Sequence, residues 1–282
     1  MKKKVSQDKV VYTVNYIMLT LLLLIVLYPI IYIISCSFSS GNALMAGKVR
    51  LLPVEFTLDS YKAVFKYQSI WSGYLNSIIY TVAGTVLSVV LTLLAAYPLS
   101  REDFRGIKWF MRLILFTMMF SGGLIPSYLL VKNMGLLNSI WAIILPGAVS
   151  AYNIIVARTY FSQNIPKELL EAAEMDGCSD FRFFSQIVVP LSAPIIAVLS
   201  LWVAVSLWNS YFGPMIYMNS EEKYPLQLIL RKILLMSQVN FSSSNVDPAT
   251  IAKNQYLSEM LKYGTIIIST LPLMVIYPFV QK

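Results

Sequence analysis

Residues 164–190 read N-I-P-K-E-L-L-E-A-A-E-M-D-G-C-S-D-F-R-F-F-S-Q-I-V-V-P, the stretch of this chain whose residue types and spacing carry the most chemistry. Glu168, Glu171 and Glu174 recur every three residues beside Leu169, Leu170, Ala172 and Ala173, a pattern that predicts a short amphipathic helix. Asn164 is placed to cap its start and Pro166 to sit in its first turn. Asp176-Gly177 reads as a turn, because glycine adopts positive φ freely. Ser179 or Asp180 then caps a second short helix carrying Phe181, Phe184 and Ile187 up to Pro190. The chemistry on offer is docking rather than catalysis. Ala172-Ala173 permits close approach, and Glu171 can pair with a basic residue on another protein. A helix lying on lipid headgroups would favour Lys and Arg, whereas this loop sets Glu168, Glu171, Glu174, Asp176 and Asp180 against Arg158, Lys167 and Arg182.

Bond-making chemistry has little to work with. The chain has no histidine, which removes His-based triads and the usual zinc sites. Its closest approach to a phosphate loop, Gly47-Lys48, lacks the leading glycine and the following hydroxyl. Cys36 and Cys178 are too few for a disulfide framework, and the topology below puts them on opposite sides of a membrane.

The elements that position the loop are set by composition. Only 13% of the 282 residues are charged and 57% are hydrophobic, with a mean hydropathy of +0.66. A soluble globule would lack the polar surface to cover such a core. Windows free of charge fall at about 12–35, 75–99, 113–131, 139–157, 187–208 and 263–280. At 1.5 Å per residue these are long enough to approach or cross a hydrocarbon layer of about 30 Å. The reading is an all-α membrane protein of six transmembrane helices forming a single domain over 1–282, with a loop at 158–186 and an outer loop at 210–262.

The net charge of +8 is clustered between these windows, as expected for membrane orientation rather than nucleic-acid binding. Lys2, Lys3, Lys4 and Lys9 precede the first window, and Arg101, Arg105, Lys108 and Arg112 crowd between the second and third. Both segments, and hence both termini and the 158–186 loop, are expected on the cytoplasmic side. The first apolar stretch is too long for a cleaved signal peptide, although Ile33-Ile34-Ser35-Cys36 faintly resembles a lipoprotein cleavage site. Pro29, Pro98, Pro126, Pro146, Pro194 and Pro272 lie in or at the ends of spans, where neighbouring helices tolerate kinks. Ala83, Gly84, Ser88, Ala95 and Ala96 let helices approach closely. No Asp, Glu, Lys or Arg lies within any span core, unlike ion-coupled carriers and pumps, so the driving energy is expected from elsewhere.

Glu171-Ala172-Ala173, Asp176-Gly177, Ile187 and Pro190, lying between spans four and five, resemble the EAA loop of permease subunits of binding-protein-dependent ABC importers. Val189 stands where the pattern has Leu before the final Pro. Nearly the whole chain is similar to the MalG-like carbohydrate branch serving complex oligosaccharides and polysaccharide fragments. The resemblance includes Leu58-x-x-Tyr61, Asn76-Ser77, Met119-Phe120-Ser121-Gly122-Gly123-Leu124-Ile125-Pro126, Trp208-Asn209 and Tyr277-Pro278-Phe279-Val280-Gln281-Lys282.

The resemblance implies a MetI-like type I ABC importer permease fold in the bacterial cytoplasmic (inner) membrane. It implies the following partners: a homologous second permease subunit, two ATPase subunits, an extracellular solute-binding protein and membrane lipid. ATP and Mg would be held by the ATPase, leaving this chain without a cofactor or catalytic role. Glu171, Ala172, Ala173 and Gly177 would lie at the ATPase interface, Asp176 would shape the turn, and Ile187 and Pro190 would join it to span five. Relatives continue past Gln281-Lys282 with a short tail that touches the ATPase pair, a contact this sequence stops short of. The outer loop, an amphipathic 225–236 followed by polar 238–247, would face the binding protein, or serve as a solvated connector.

Sugars are held by aromatic faces with amide and hydroxyl hydrogen bonds, which makes Trp208, Asn209, Tyr211 and Asn76 the candidates for the substrate path. Trp and Tyr at span ends also serve as interfacial anchors. Two further readings remain open at this point: an importer of amino acids, peptides or inorganic anions, and an ATP-independent channel or carrier.

Overall fold

The computed structural model describes residues 2–239 and 248–280, so most of the polar stretch 238–247 and the final Gln281-Lys282 lie outside the described residues. Among the described residues every regular element is helical. In chain order these are α1 (Lys2–Ser37), α2 (Gly41–Met45), α3 (Asp59–Lys66), α4 (Gln68–Ser100), α5 (Ile107–Met119), α6 (Leu124–Asn133), α7 (Ile140–Ile144) and α8 (Ala151–Asn164). There follow α9 (Lys167–Met175), α10 (Asp180–Phe183), α11 (Val189–Leu191), α12 (Ala193–Trp208), α13 (Phe212–Tyr217), α14 (Leu226–Val239) and α15 (Pro248–Val280).

The chain divides into two compact units, residues 1–70 with 230–271 and residues 71–229 with 272–282. In the first, the apolar side chains of α1 from Val10 through Leu24 are all exposed, the character of a helix whose solvent is lipid. Its far end is anchored: Cys36, Ala43 and Val49 form a small core with Tyr32 and Tyr263 against it. Ser35 and Ser39 hydroxyls bond to the carbonyls of Leu51 and Ser35, and the Tyr61 and Ser37 hydroxyls meet at 3.0 Å. Gly264 of α15 approaches α3 so closely that a Cβ there would stand 3.2 Å from the Ser60 carbonyl oxygen.

In the second unit, the windows at 113–131, 139–157 and 187–208 fall on bent helix pairs rather than straight rods. α5 and α6 are bent by 110° at Phe120–Gly123, where Gly123 has φ +81°. The pair 140–147 and 151–164 is bent by 53°, and the pair 180–191 and 193–208 by 78°. Each break has a local cause: Gly122-Gly123, Pro146-Gly147, and Ser192 flanked by Pro190 and Pro194. Ahead of Pro190 the chain widens to a π-turn over Phe184–Val188, consistent with the donor and space that proline removes from a helix. The core of this unit joins Val89, Leu93, Ala96 and Leu99 of α4 to Ile154, Ala157 and Phe161 of α8 and to Ala173, Phe183, Phe184, Val188, Ile195 and Leu199 beyond. That core is what positions the acidic loop.

Candidate functional site

α9 is built from strong helix formers, K-E-L-L-E-A-A-E-M, with Glu168 in its first turn favouring the helix dipole. Its start differs from the sequence expectation. Asn164 is the last residue of α8, and its side-chain amide donates to the Tyr160 carbonyl at 2.9 Å. Ile165 precedes a proline and is therefore extended, which ends α8 and leaves Pro166 as the N-cap of α9 without a side-chain cap bond.

The helix ends as the turn signal requires. Gly177 has φ +72°, its N–H donates to the Glu174 carbonyl at 3.0 Å, and the Cys178 N–H donates to the Ala173 carbonyl at 2.9 Å. Together these form a Schellman closure that satisfies the last carbonyls and reverses the chain. Ser179 opens α10 without a side-chain cap bond. Phe183 and Phe184 point into the core, whereas Phe181 is 73% exposed.

The residues of the motif part company along α9. Ala173 is buried in the chain's own core. Glu171, Ala172, Asp176 and Gly177 are exposed, and Met175 beside them is 89% exposed. A Cβ on Gly177 would meet nothing within 4 Å. Ile187 is half-buried against the core and Pro190 is exposed. The face left exposed is thus Glu171, Ala172, Met175, Asp176 and Gly177, with Ala173 holding the helix from behind.

The charges part company too. Arg101, one residue past α4, is only 16% exposed in its side chain and faces three carboxylates. Its Nε and Nη2 grip Asp103 at 2.8 and 2.6 Å, its Nη2 lies 3.7 Å from Glu174, and its Nη1 donates to Asp180. Hydrogen bonding to Asp103, then to Asp180, holds the guanidinium charged well above its ordinary range, and that same bond pulls the Asp103 carboxyl below the usual carboxylate range. Lys167 pairs with Glu102, and the Arg158 Nε donates to the Leu99 carbonyl at 2.7 Å, covering the end of α4. Between α9 and the 100–107 turn lies a cleft of about 620 Å³, lined by Arg101, Arg158, Phe161, Lys167, Glu171 and Glu174 among others. Glu171 makes no ion pair among the described residues.

Asn76 and Trp208 are committed to their own chain. The Asn76 amide donates to the carbonyls of Glu222 and Tyr224 at 2.7 and 3.2 Å. Ser77 accepts from the Leu226 N–H and Tyr80 donates to the Lys223 carbonyl, so this face of α4 clamps the 222–226 turn. Trp208 is 4% exposed, edge-on to Tyr74 with centroids 5.6 Å apart. Asn209 and Tyr211 are exposed, and the Asn209 amide donates to the Val205 carbonyl at 2.9 Å.

Residues 88–282 match the family model described as binding-protein-dependent transport system inner membrane component. The chain belongs to that family. It is 41% identical over 268 residues to the polygalacturonan/rhamnogalacturonan transport system permease protein YtcP of Bacillus subtilis, covering 95% of this chain and 92% of that one. Protein LplC of the same organism is 38% identical over 258 residues, covering 92% and 86%. Among solved structures, that of a bacterial ABC transporter involved in the import of the acidic polysaccharide alginate superposes with a TM-score of 0.87 at 37% identity, covering 98% of this chain and 96% of that one.

This permease is therefore an inner-membrane transport component of the all-helical MetI-like fold, not an enzyme. The Arg101 cluster has no local signal in the sequence: Arg101 reads as one of four orientation charges, Glu174 as part of an acidic helix face, Asp180 as a helix cap, and Asp103 belongs to no motif. Sequence reasoning also missed Tyr152 and Trp202, two exposed rings from α8 and α12 packed 5.8 Å apart at 35°. Their ring types were visible, but nothing in their spacing brings them together.

Proposed function

We propose that this permease is one of two homologous membrane subunits of an ATP-driven importer of a carbohydrate, an oligosaccharide or polysaccharide fragment. The cargo reading is supported by the printed roles of its relatives: YtcP is a polygalacturonan/rhamnogalacturonan permease, and the structural neighbour imports alginate. The observation that carries the mechanism is α9, whose Ala173 side is fixed in the core while Glu171, Ala172, Met175 and Gly177 stand exposed.

In this reading 1–282 is one permease domain that crosses the membrane six times, with both termini cytoplasmic. Three crossings, those of windows 113–131, 139–157 and 187–208, are made by bent pairs. Glu171, Ala172, Asp176 and Gly177 contact one ATPase subunit of a pair, which binds ATP and Mg. Ala173, Ile187 and Pro190 act from behind, tying that contact to the core and to α12. An extracellular binding protein delivers the solute. The path is lined by Asn209 and Tyr211 and by the Tyr152 and Trp202 rings, because a sugar needs aromatic faces beside amides and hydroxyls. Asn76 and Trp208 hold that end of the path in shape. Closure of the ATPase pair would move α9 and shift the permease between inward-open and outward-open states.

The test is uptake in proteoliposomes holding both permeases and the ATPase, with binding protein outside and ATP inside. Accumulation of an oligogalacturonide, abolished when the ATPase is inactivated, is the expected result. Uptake of a non-sugar solute alone would overturn the cargo, and flux that persists without ATP hydrolysis would overturn the importer.

A further inference from the structure

We propose that Arg101 is a positioning residue for energy coupling: it fixes the register between the α9–α10 loop and the end of α4, so that helix and loop move as one body. This rests on the importer reading above.

Two kinds of contact join α4 to the loop. One is apolar: Leu99 and Ala96 share a core with Ala173 and Phe183, and Tyr97 packs on Phe184 with centroids 5.0 Å apart. Apolar burial is strong but non-directional, so it resists separation better than it resists sliding. The other is polar and directional: the exposed Lys167–Glu102 ion pair at the start of α9, and the more buried guanidinium of Arg101. Asp103, two residues along the same turn, takes both Nε and Nη2 and thereby sets the plane of the fork. With that plane fixed, Nη1 is aimed at Asp180 of α10, and Nη2 also lies near Glu174 of α9. One side chain just past the end of a 33-residue helix thus reaches both short helices of the loop.

The arrangement also divides the acidic loop by role. Glu174 and Asp180 are turned to Arg101, while Glu171, three residues from Glu174, is left for another protein. A lysine would supply the charge but not the fork, because it cannot hold Asp103 bidentately and reach Asp180 in a fixed direction.

The experiment uses the reconstituted complex and reads ATP hydrolysed per solute accumulated, beside recovery of the ATPase with the permease. Arg101→Gln should leave ATPase recovery at the wild-type level and raise the ratio roughly tenfold, the size of a typical coupling between two sites. Arg101→Lys should fall between the two. Asp180→Asn should raise the ratio in the same direction, and adding it to Arg101→Gln should change little further. An unchanged ratio in Arg101→Gln and Asp180→Asn overturns the proposal. So does loss of the ATPase in step with transport, which would make Arg101 a docking residue instead. If the wild-type complex shows no ATP-dependent uptake, the importer reading falls and takes this proposal with it.

Discussion

The guanidinium of Arg101, just past the end of α4, donates to the carboxylate of Asp180, which lies 79 residues further along the chain at the start of α10. That bond ties the turn after α4 to the loop whose opposite face is exposed. Asp103 orients the donor and shares its charge.

The Asp103 bond gives a pH dependence. Its folded-state carboxyl lies below the usual carboxylate range because of the bond from Arg101. The stabilisation is therefore fully present above the unfolded value of about 3.9 and is lost as pH falls through the lower folded value. Because Asp103 is exposed, the amount should stay below about 1 kcal/mol. Thermal unfolding of wild type and Asp103→Asn in detergent should show a small constant gap from pH 5 to pH 8 that closes below pH 4.

At Gly177 backbone and space make separate predictions. With φ at +72°, Gly177→Val should destabilise the loop by about 1–2 kcal/mol, while Gly177→Asn should cost less because Asn tolerates this conformation. Since a Cβ there meets nothing within 4 Å, Gly177→Trp should lose more ATPase recovery than its own drop in stability explains. Comparing unfolding midpoints with ATPase recovery separates the two effects.

Asn76 and Trp208 should behave as structural residues. Asn76→Ala removes two bonds to the 222–226 turn and should cost about 1–2 kcal/mol. Trp208→Ala empties a buried site and should cost about 3–5 kcal/mol. In protein that remains folded, the solute concentration for half-maximal uptake should hold for Asn76→Ala. The same quantity should rise for Trp202→Ala.

Much of this was legible in local sequence. The acidic periodicity placed α9, and Asp176-Gly177 placed its reversal, because both depend on neighbours three or four residues away. Asn164 ends α8 instead of capping α9, because the extended geometry of Ile165 before Pro166 overrides side-chain preference. Windows of hydropathy located apolar segments and Pro146 and Pro194 marked where kinks are tolerated, yet hydropathy is blind to direction, so the bend at Gly122-Gly123 and the angles of all three bends emerged only in three dimensions. The Arg101 cluster and the turn of Asn76 and Trp208 toward their own chain depend on pairings across 79, 146 and 134 residues, which no local pattern encodes.

If the exposed face of α9 receives the ATPase, Glu171→Lys should break that contact. Glu171 makes no ion pair among the described residues, so reversing its charge should leave the unfolding midpoint of the isolated permease unchanged. Purified under mild conditions at low salt, wild type should carry a homologous permease and an ATPase, and Glu171→Lys should keep the permease while losing most of the ATPase. Equal ATPase recovery with wild-type transport would show that the ATPase docks elsewhere.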